Sequence, residues 1–561
     1  MAEGPGMNAT PILSLPDDIS CLFLAILAQI EPPQAIYSPR GIGDLSRRDE
    51  SLGFLRLSEV CRRWRTLIIS LPSLWATIVF RIPAEPGKLA LARSKSAPLR
   101  ALIPRMTRPI PRRSQNSTSW GREYFVTLAV QHAARLGALT AYDLKTSHYK
   151  SIFCEARPLL QDICLLYEDL PPSSASVGDI CIDAPNLHSL RVTFLVEDDD
   201  IGPFMAYGQK PGLKFKIPAL RSLHVTFVEV EMTQTNLSWI VSILRNSPLI
   251  KQLRLEFGSR SLSHVQWNAI FEELPVELTQ LSSLELRGGP TADIHGLLGW
   301  LGSPRPPRLI LAHQCSDDVR DALDFAKTHA RILHNSHYDG LLVKLDSRFT
   351  KCNLEVASFP ALASFPSYFS DFPDTAAEVV MLSIESMNPS DGPIHRQIVD
   401  ILTSALKDSS VRQLVVDAPT FKAWPSALET IVSLCLETTD VFIQHPWNYH
   451  SPGFPLFPTP GVLPALNTLS IRPILTYRAY QDSYGPSIRA WWTELSAWLE
   501  RRAYAGSRVP RLRIYGQDGE PGYDKVRSKH WADEAKMQQQ AAEFVGELTD
   551  ERCAPGSTIT L

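Results

Sequence analysis

Near the start of the chain, apolar residues recur at intervals of three and four. In LSLPDDISCLFLAILAQI, residues 13 to 30, Ile19, Leu22, Phe23, Ile26, Leu27 and Ile30 share one broad face of a predicted helix. Pro16 suits the first turn, where its missing N–H costs nothing, and Asp17 and Asp18 complement the positive end of the helix dipole. Pro32 and Pro33 stop it. After a connection rich in Gly, Ser and Arg, LRLSEVCRRWRTLIIS (55–70) repeats the helical spacing. Leu57, Val60, Cys61, Trp64, Leu67 and Ile68 form its stripe, with Arg62, Arg63 and Arg65 mostly on the wet side. Pro72 breaks this helix and Ser73-Leu74-Trp75 begins another short turn. Three helices in a segment this short make a small core for so much apolar surface. Their stripes either pack within the chain or meet another protein.

Beyond Trp75 the rhythm changes. WATIVFRI (75–82) reads as a short strand, and GKLALARSKSAPLRALI (87–103) as helix, turn and strand. Residues 104–120 read as a polar insertion whose proline-interrupted arginines suit a solvated loop better than an anion patch or nuclear-import signal. Then one phrase recurs: APNLHSLRVTF (184–194), IPALRSLHVTF (217–227), SPLIKQLRLEF (247–257) and LTQLSSLELRG (278–288). Their first leucines, Leu187, Leu220, Leu249 and Leu281, lie about thirty residues apart, a period that predicts stacked strand-plus-helix units. Alternate strand residues such as Leu190 and Val192 would be buried, and LSWIVSILRNSP supplies a helix with Ile240, Ile243 and Leu244 inward. Weaker echoes occur at 156–167, 409–418 and 463–473. Between about 290 and 400 the pattern is degenerate, although AEVVMLSIES (377–386) still reads as a strand. The Asn position of standard leucine-rich repeats is missing. Near the end, IRAWWTELSAWLERRAYAG predicts an amphipathic helix with Trp491, Leu495, Trp498 and Leu499 on one side, and VPRLRIYG a final strand. This pair is expected to close the open end of the array. From 516 the tail reads as polar, with one helix over 531–548 docking loosely through Met537, Ala541, Phe544 and Leu548.

Composition narrows the class. The chain has 561 residues, more than one core holds, with 44% hydrophobic and 20% charged residues. Its 44 prolines predict many short elements between turns. A net charge of −3 gives no general pull toward nucleic acid or an anionic membrane. Nine scattered cysteines without a CxxC pair suit reduced thiols in the cytoplasm or nucleus. The N-terminus lacks the features of a signal peptide, no stretch is long enough to span a membrane, and the N-x-S/T triplets at Asn8, Asn116 and Asn236 read as chance.

Leu15-Pro16-Asp17-Asp18-Ile19, then Leu57-x-x-Val60-Cys61-Arg62-Arg63-Trp64-Arg65, then Leu71-Pro72-Ser73-Leu74-Trp75, resembles an F-box of the mushroom-type (basidiomycete) fungal family. The turn RSKSAPL also resembles a joint common after that motif, and such proteins resemble the leucine-rich pattern that follows. The resemblance implies an α+β or α/β chain: a three-helix F-box over 12–80, an irregular leucine-rich-repeat-like solenoid over 81–515, and the tail 516–561. It implies a substrate-receptor subunit of an SCF-type cullin–RING ubiquitin ligase. Leu15, Pro16, Ile19, Val60, Cys61 and Trp64 match the segments that contact a Skp-type adaptor and, through it, cullin. The solenoid would bind a protein target. The connection over 31–54 is longer than the family's usual spacing.

No catalytic constellation accompanies these patterns. GxxxxGK[ST], GxGxxG after a strand, HExxH and GxSxG are all missing, so no enzyme, cofactor or metal is expected. His329, His334 and His337 match no zinc spacing and suit an exposed loop or helix end. The acidic run Glu197 to Asp200 reads as a solvated loop. Trp447, Tyr449, Phe454 and Phe457, in HPWNYHSPGFPLFPTP, are candidate target contacts or the cap of a repeat edge. The alternative to a ligase receptor is a scaffold in which the N-terminal helices only cap the array.

Overall fold

The computed structural model describes residues 15–30, 53–82, 84–104, 122–142, 144, 146–167, 180–195, 213–228, 234–258, 276–289, 291–302, 305–315, 319–335, 337–348, 351–362, 376–387, 392–407, 409–417, 430, 435–447, 463–475, 484–515 and 523–550. It is an α/β protein whose strands form a large mixed sheet. The chain divides into two compact units, one built on Met1–Leu253 and the other on Ser282–Leu561 together with Arg254–Ser263.

The first unit opens with helix α1 (Asp17–Ile30), for which the Pro16 carbonyl accepts the first helical bond, so Pro16 stands at the cap rather than inside the first turn. The continuous helix expected over 55–70 is instead two pieces, a 3-10 helix over Gly53–Glu59 and α2 (Arg62–Ser70). The break has a local cause. Cys61 is extended, and its Sγ accepts the Trp64 N–H at 3.5 Å, which caps α2 where an unbroken helix would leave no acceptor free. The strand expected at 75–82 is also corrected: Trp75 to Ile78 complete α3 (Pro72–Ile78). Pro72 pre-sets its first turn, and Leu74, Trp75 and Ile78 are buried at helical spacing. A short apolar run does not by itself separate a strand from a buried helix. Helix α4 (Ala84–Ser94) follows and ends at Lys95, which is left-handed (φ 47°).

From here strand and turn alternate. Strands β1 (Leu99–Ile103), β2 (Leu136–Tyr142), β3 (Asp162–Tyr167), β5 (Ser189–Leu195) and β7 (Ser222–Val228) pair in parallel in that order. Short strands β4 (Ile180–Asp183) and β6 (Leu213–Lys216) pair separately, and β8 (Gln252–Phe257) follows β7. Helices α5 (Arg122–Gln131), α6 (Thr146–Ile152) and α7 (Gln234–Asn246) lie between strands, and Ile240, Ile243 and Leu244 of α7 are buried as expected.

The leucine phrase is a turn. The N–H of Leu160, Leu187, Leu220, Ile250 and Leu281 donates to the carbonyl of Arg157, Ala184, Ile217, Ser247 and Leu278 respectively, at 3.0 to 3.3 Å. All ten of these residues are buried. The next two N–H groups reach one carbonyl of the turn before: His188 and Ser189 both donate to Gln161, Arg221 and Ser222 to His188, and Lys251 and Gln252 to Arg221. Side chains add bonds between successive turns. Ser247 Oγ donates to the Ile217 carbonyl at 3.2 Å, and Asn186 Nδ2 to that of Pro158 at 2.9 Å.

In the second unit the strand order is β9 (Ser283–Arg287), β10 (Arg308–Gln314), β13 (Val379–Met387), β12 (Lys351–Phe359), β11 (Gly340–Arg348), β14 (Gln413–Asp417), β15 (Asp440–Trp447), β16 (Thr468–Leu475), β17 (Val509–Ile514) and β18 (Val545–Asp550). Among the described residues, the antiparallel pairings are those of β12 with β11 and with β13. This hairpin explains the fading of the phrase between 290 and 400. The turn returns at Cys435 to Thr438 and Leu463 to Leu466. One glycine is required by contact: at Gly288 (φ 72°) a Cβ would lie 1.7 Å from the Phe257 carbonyl oxygen. Ile310, Leu342, Ala357, Phe359, Val379, Met381, Val415 and Phe442 form one buried cluster. Helices α8 (Thr291–Trp300), α9 (Val319–His329), α10 (Gly392–Leu406) and α11 (Tyr484–Tyr504) stand between strands.

The tail differs from expectation. The helix expected over 531–548 is α12 (Tyr523–Ala542), and 545–550 form β18, paired with β17. Docking is not loose: Glu534, Gln538, Ala541 and Leu548 are buried, and Trp492 Nε1 donates to Glu534 Oε1 at 3.1 Å. The strand from VPRLRIYG is therefore not the last one.

Candidate docking surface on the N-terminal helices

Helix α1 buries Ser20, Leu24 and Ala28, a stripe at intervals of four made mostly of small side chains. Four of its large apolar residues point the other way. Ile19 is 44% exposed, Leu22 59%, Ile26 47% and Ile30 69%. Val60, at the break before α2, is 60% exposed. A single exposed leucine is unremarkable, but four large residues at helical spacing form a stripe.

Beneath it the packing is specific. Phe23 lies 5.9 Å from the buried Trp64 ring, and Trp75 Nε1 donates to the Ile68 carbonyl at 2.8 Å. The Arg93 guanidinium sits 4.5 Å over the Trp75 ring. Arg63 is not on the wet side as expected. It is half-buried, and its Nε and Nη2 donate to Asp17 Oδ1 at 3.0 and 2.6 Å while Nη2 also reaches the Leu15 carbonyl. Arg62 and Arg65 are exposed.

The six residues matched to adaptor contacts therefore have three fates. Pro16, Ile19 and Val60 are exposed, Leu15 and Cys61 are half-buried, and Trp64 is core. Leu22, Ile26 and Ile30 belong to the open surface although the matched motif omits them. Their signal was the width of the apolar face, more than one packing partner can cover.

The other candidates fall elsewhere. The Trp447 backbone lies in β15, but its side chain, with Tyr449, Phe454, Phe457 and the acidic run 197–200, is outside the described residues, as is the insertion from 105 on. His334 and His337 are exposed, whereas His329 is buried, which corrects the expectation for it. His329 lies 5.0 Å from the Phe325 ring and 6.0 Å from His295. Burial, then His295 and His313, hold its pKa down to about 4. His313 Nδ1 is 3.1 Å from the Gly289 carbonyl, and its Nε2 is 3.7 Å from Asp321 Oδ2. Burial lowers His313 as well, against the pull of Asp321. Buried Glu285 is held by Arg254, Arg287 and Arg308, and Arg254 and Arg287 also meet Glu256 and Glu385 within the second unit. Among the described residues no three His, Cys, Asp or Glu side chains converge to hold a metal ion, and no helix is long and apolar enough to cross a membrane.

An exposed apolar stripe of this kind offers contact area to another apolar surface. No known family model matches the chain, and no curated protein matches it in sequence.

Proposed function

We propose that the chain is a substrate-receptor subunit of an SCF-type cullin–RING ubiquitin ligase. The three helices within 12–80 act as an F-box that binds a Skp-type adaptor, and the turn-and-strand array over 81–515 acts as a leucine-rich-repeat-like solenoid that holds a protein target. Catalysis on this reading is proximity, with the target held near an enzyme recruited through cullin. The observation that carries the proposal is the outward stripe Ile19, Leu22, Ile26 and Ile30, together with the exposed Val60. The regular turns support the solenoid. Cytoplasmic or nuclear residence is part of the same proposal.

The scaffold reading draws on one observation: α3, whose Leu74 and Ile78 are buried, packs against the edge strand β1. Capping of that kind needs α3 and leaves the outer face of α1 unused. The decisive experiment is co-purification of the full chain with recombinant Skp-type adaptor and cullin, beside a variant carrying Ile19→Asp and Val60→Asp. Capture of both partners by the wild type, lost in the variant, is expected. A folded wild-type chain that captures no adaptor refutes the proposal and favours the scaffold.

A further inference from the structure

The long connection between α1 and α2 raises the question of what sets the position of α1. Loop closure becomes only slowly costlier with length, so a connection over 31–52 constrains its ends weakly. The buried side of α1 seats Leu24 and sets Phe23 against Trp64, while Ser20 and Ala28 are small and add little to its hold. Helix α2 buries Trp64 and Ile68, and its Ile68 carbonyl accepts the Trp75 Nε1–H of α3. Arg63 projects from this fixed helix and grips the start of α1 at a backbone carbonyl and a carboxylate, 48 and 46 residues away in the chain. A guanidinium fork that meets two acceptors at once fixes orientation as well as distance.

We propose that Arg63 is the positioning residue that sets the rotation and height of α1, so that Leu15, Pro16 and the outward stripe are presented together whatever the length of the connection. The inference rests on the adaptor-binding reading of this surface.

The test uses the full chain with Asp17→Ala, Arg63→Ala, the double variant and Arg63→Lys, together with a chain lengthened by Gly-Ser repeats within 36–45. Two quantities are read: affinity for recombinant Skp-type adaptor, and hydrogen exchange of the amides over 17–30. With Arg63→Ala, binding weakens by about tenfold and those amides exchange faster, while amides in β7 stay protected. In the double variant the Asp17 change adds little to the Arg63 change, as expected of one shared contact. Arg63→Lys gives an intermediate loss, because an ammonium cannot hold both acceptors with the same geometry. The lengthened connection binds within about twofold of wild type. Unchanged exchange over 17–30 in Arg63→Ala, or a lengthened chain that loses binding as Arg63→Ala does, overturns the inference. If the wild type binds no adaptor, it is the ligase reading that fails, and the exchange measurement still decides whether Arg63 positions α1.

Discussion

Helices α1 and α11 are both rich in large apolar residues, and they are finished in opposite ways. In α11 the large side chains go in: Trp491, Trp492, Leu495, Trp498 and Leu499 are buried. Trp492 Nε1 donates to Glu534, and Arg502 covers the Trp498 ring at 5.2 Å. The same arginine donates to the Leu463 carbonyl at 2.9 Å, where Leu463 has a φ of 60°. In α1 only Leu24 of the large apolar residues is fully buried, beside Ser20 and Ala28, while Ile19, Leu22, Ile26 and Ile30 stay out. Internal stability alone would favour the reverse arrangement, because burying a large aliphatic side chain is worth about 1.5–3 kcal/mol. The comparison teaches that α11 spends its large side chains on its own unit, whereas α1 leaves four of them exposed.

The largest expected effect tests the completed side. Trp492→Ala removes a fully buried ring and leaves Glu534 without that donor, and should cost about 3–5 kcal/mol. The loss is measured as a lower urea midpoint for the second unit. A variant as stable as wild type would show that α11 is no more essential to its unit than α1.

A second prediction concerns α9, whose burial is conditional. His329 is neutral inside the fold with a pKa of about 4, against an ordinary value of 6.5. Between those values the unfolded chain carries a proton that the folded chain does not, so stability rises with pH across this window. The contribution is complete above about pH 6.5 and lost as pH falls toward 4, a change of about 3 kcal/mol. His313 has its pKa lowered too and steepens the same loss, while Asp321 opposes it. His395 of α10 is also buried near this layer. His329→Leu should flatten the melting temperature between pH 4 and 6.5. An unaltered acid limb in that variant would place the acid sensitivity elsewhere.

Much of the array was legible because local rules and the fold agree there. Leu187, Leu220, Leu249 and Leu281 announced turns that recur, and strands follow each of them. The residue types at the turns also explain what was not legible. Leu249 is 38% exposed while its neighbour Ile250 takes the buried place, a shift by one that leucine spacing does not reveal. In α1 the apolar face was evident but its inward edge was not, because Ile19 to Ile30 cover more of the helix than one neighbour can bury. Arg63 was read by its charge, and only the fold brings it to Leu15 and Asp17. The cluster of His295, His313 and His329 joins two helices and a strand, so no spacing advertises it.

A smaller effect sharpens the account of the turns. Thr438 is fully buried, and its Oγ1 donates to the Val411 carbonyl at 2.8 Å. Thr438→Val keeps the shape and removes the donor, and should cost about 1–2 kcal/mol on urea denaturation, including the carbonyl left without that bond. Equal stability would mean that the turns stack by leucine packing alone.

The smallest effect lies on the open side of the comparison. Leu22→Asp together with Ile26→Asp places charge where the structure already faces solvent, and each should alter stability by no more than about 0.5 kcal/mol. Melting curves of the isolated full chain should nearly superimpose on wild type, while self-association on concentration should diminish because the stripe is interrupted. Adaptor capture should fall sharply in the same variant if the ligase reading holds. A melting temperature lowered as far as that of Trp492→Ala would contradict the geometry directly, because it would mean that the outer face of α1 is packed within the chain. Retained stability with lost capture is what distinguishes a surface kept for a partner from a core left unfinished.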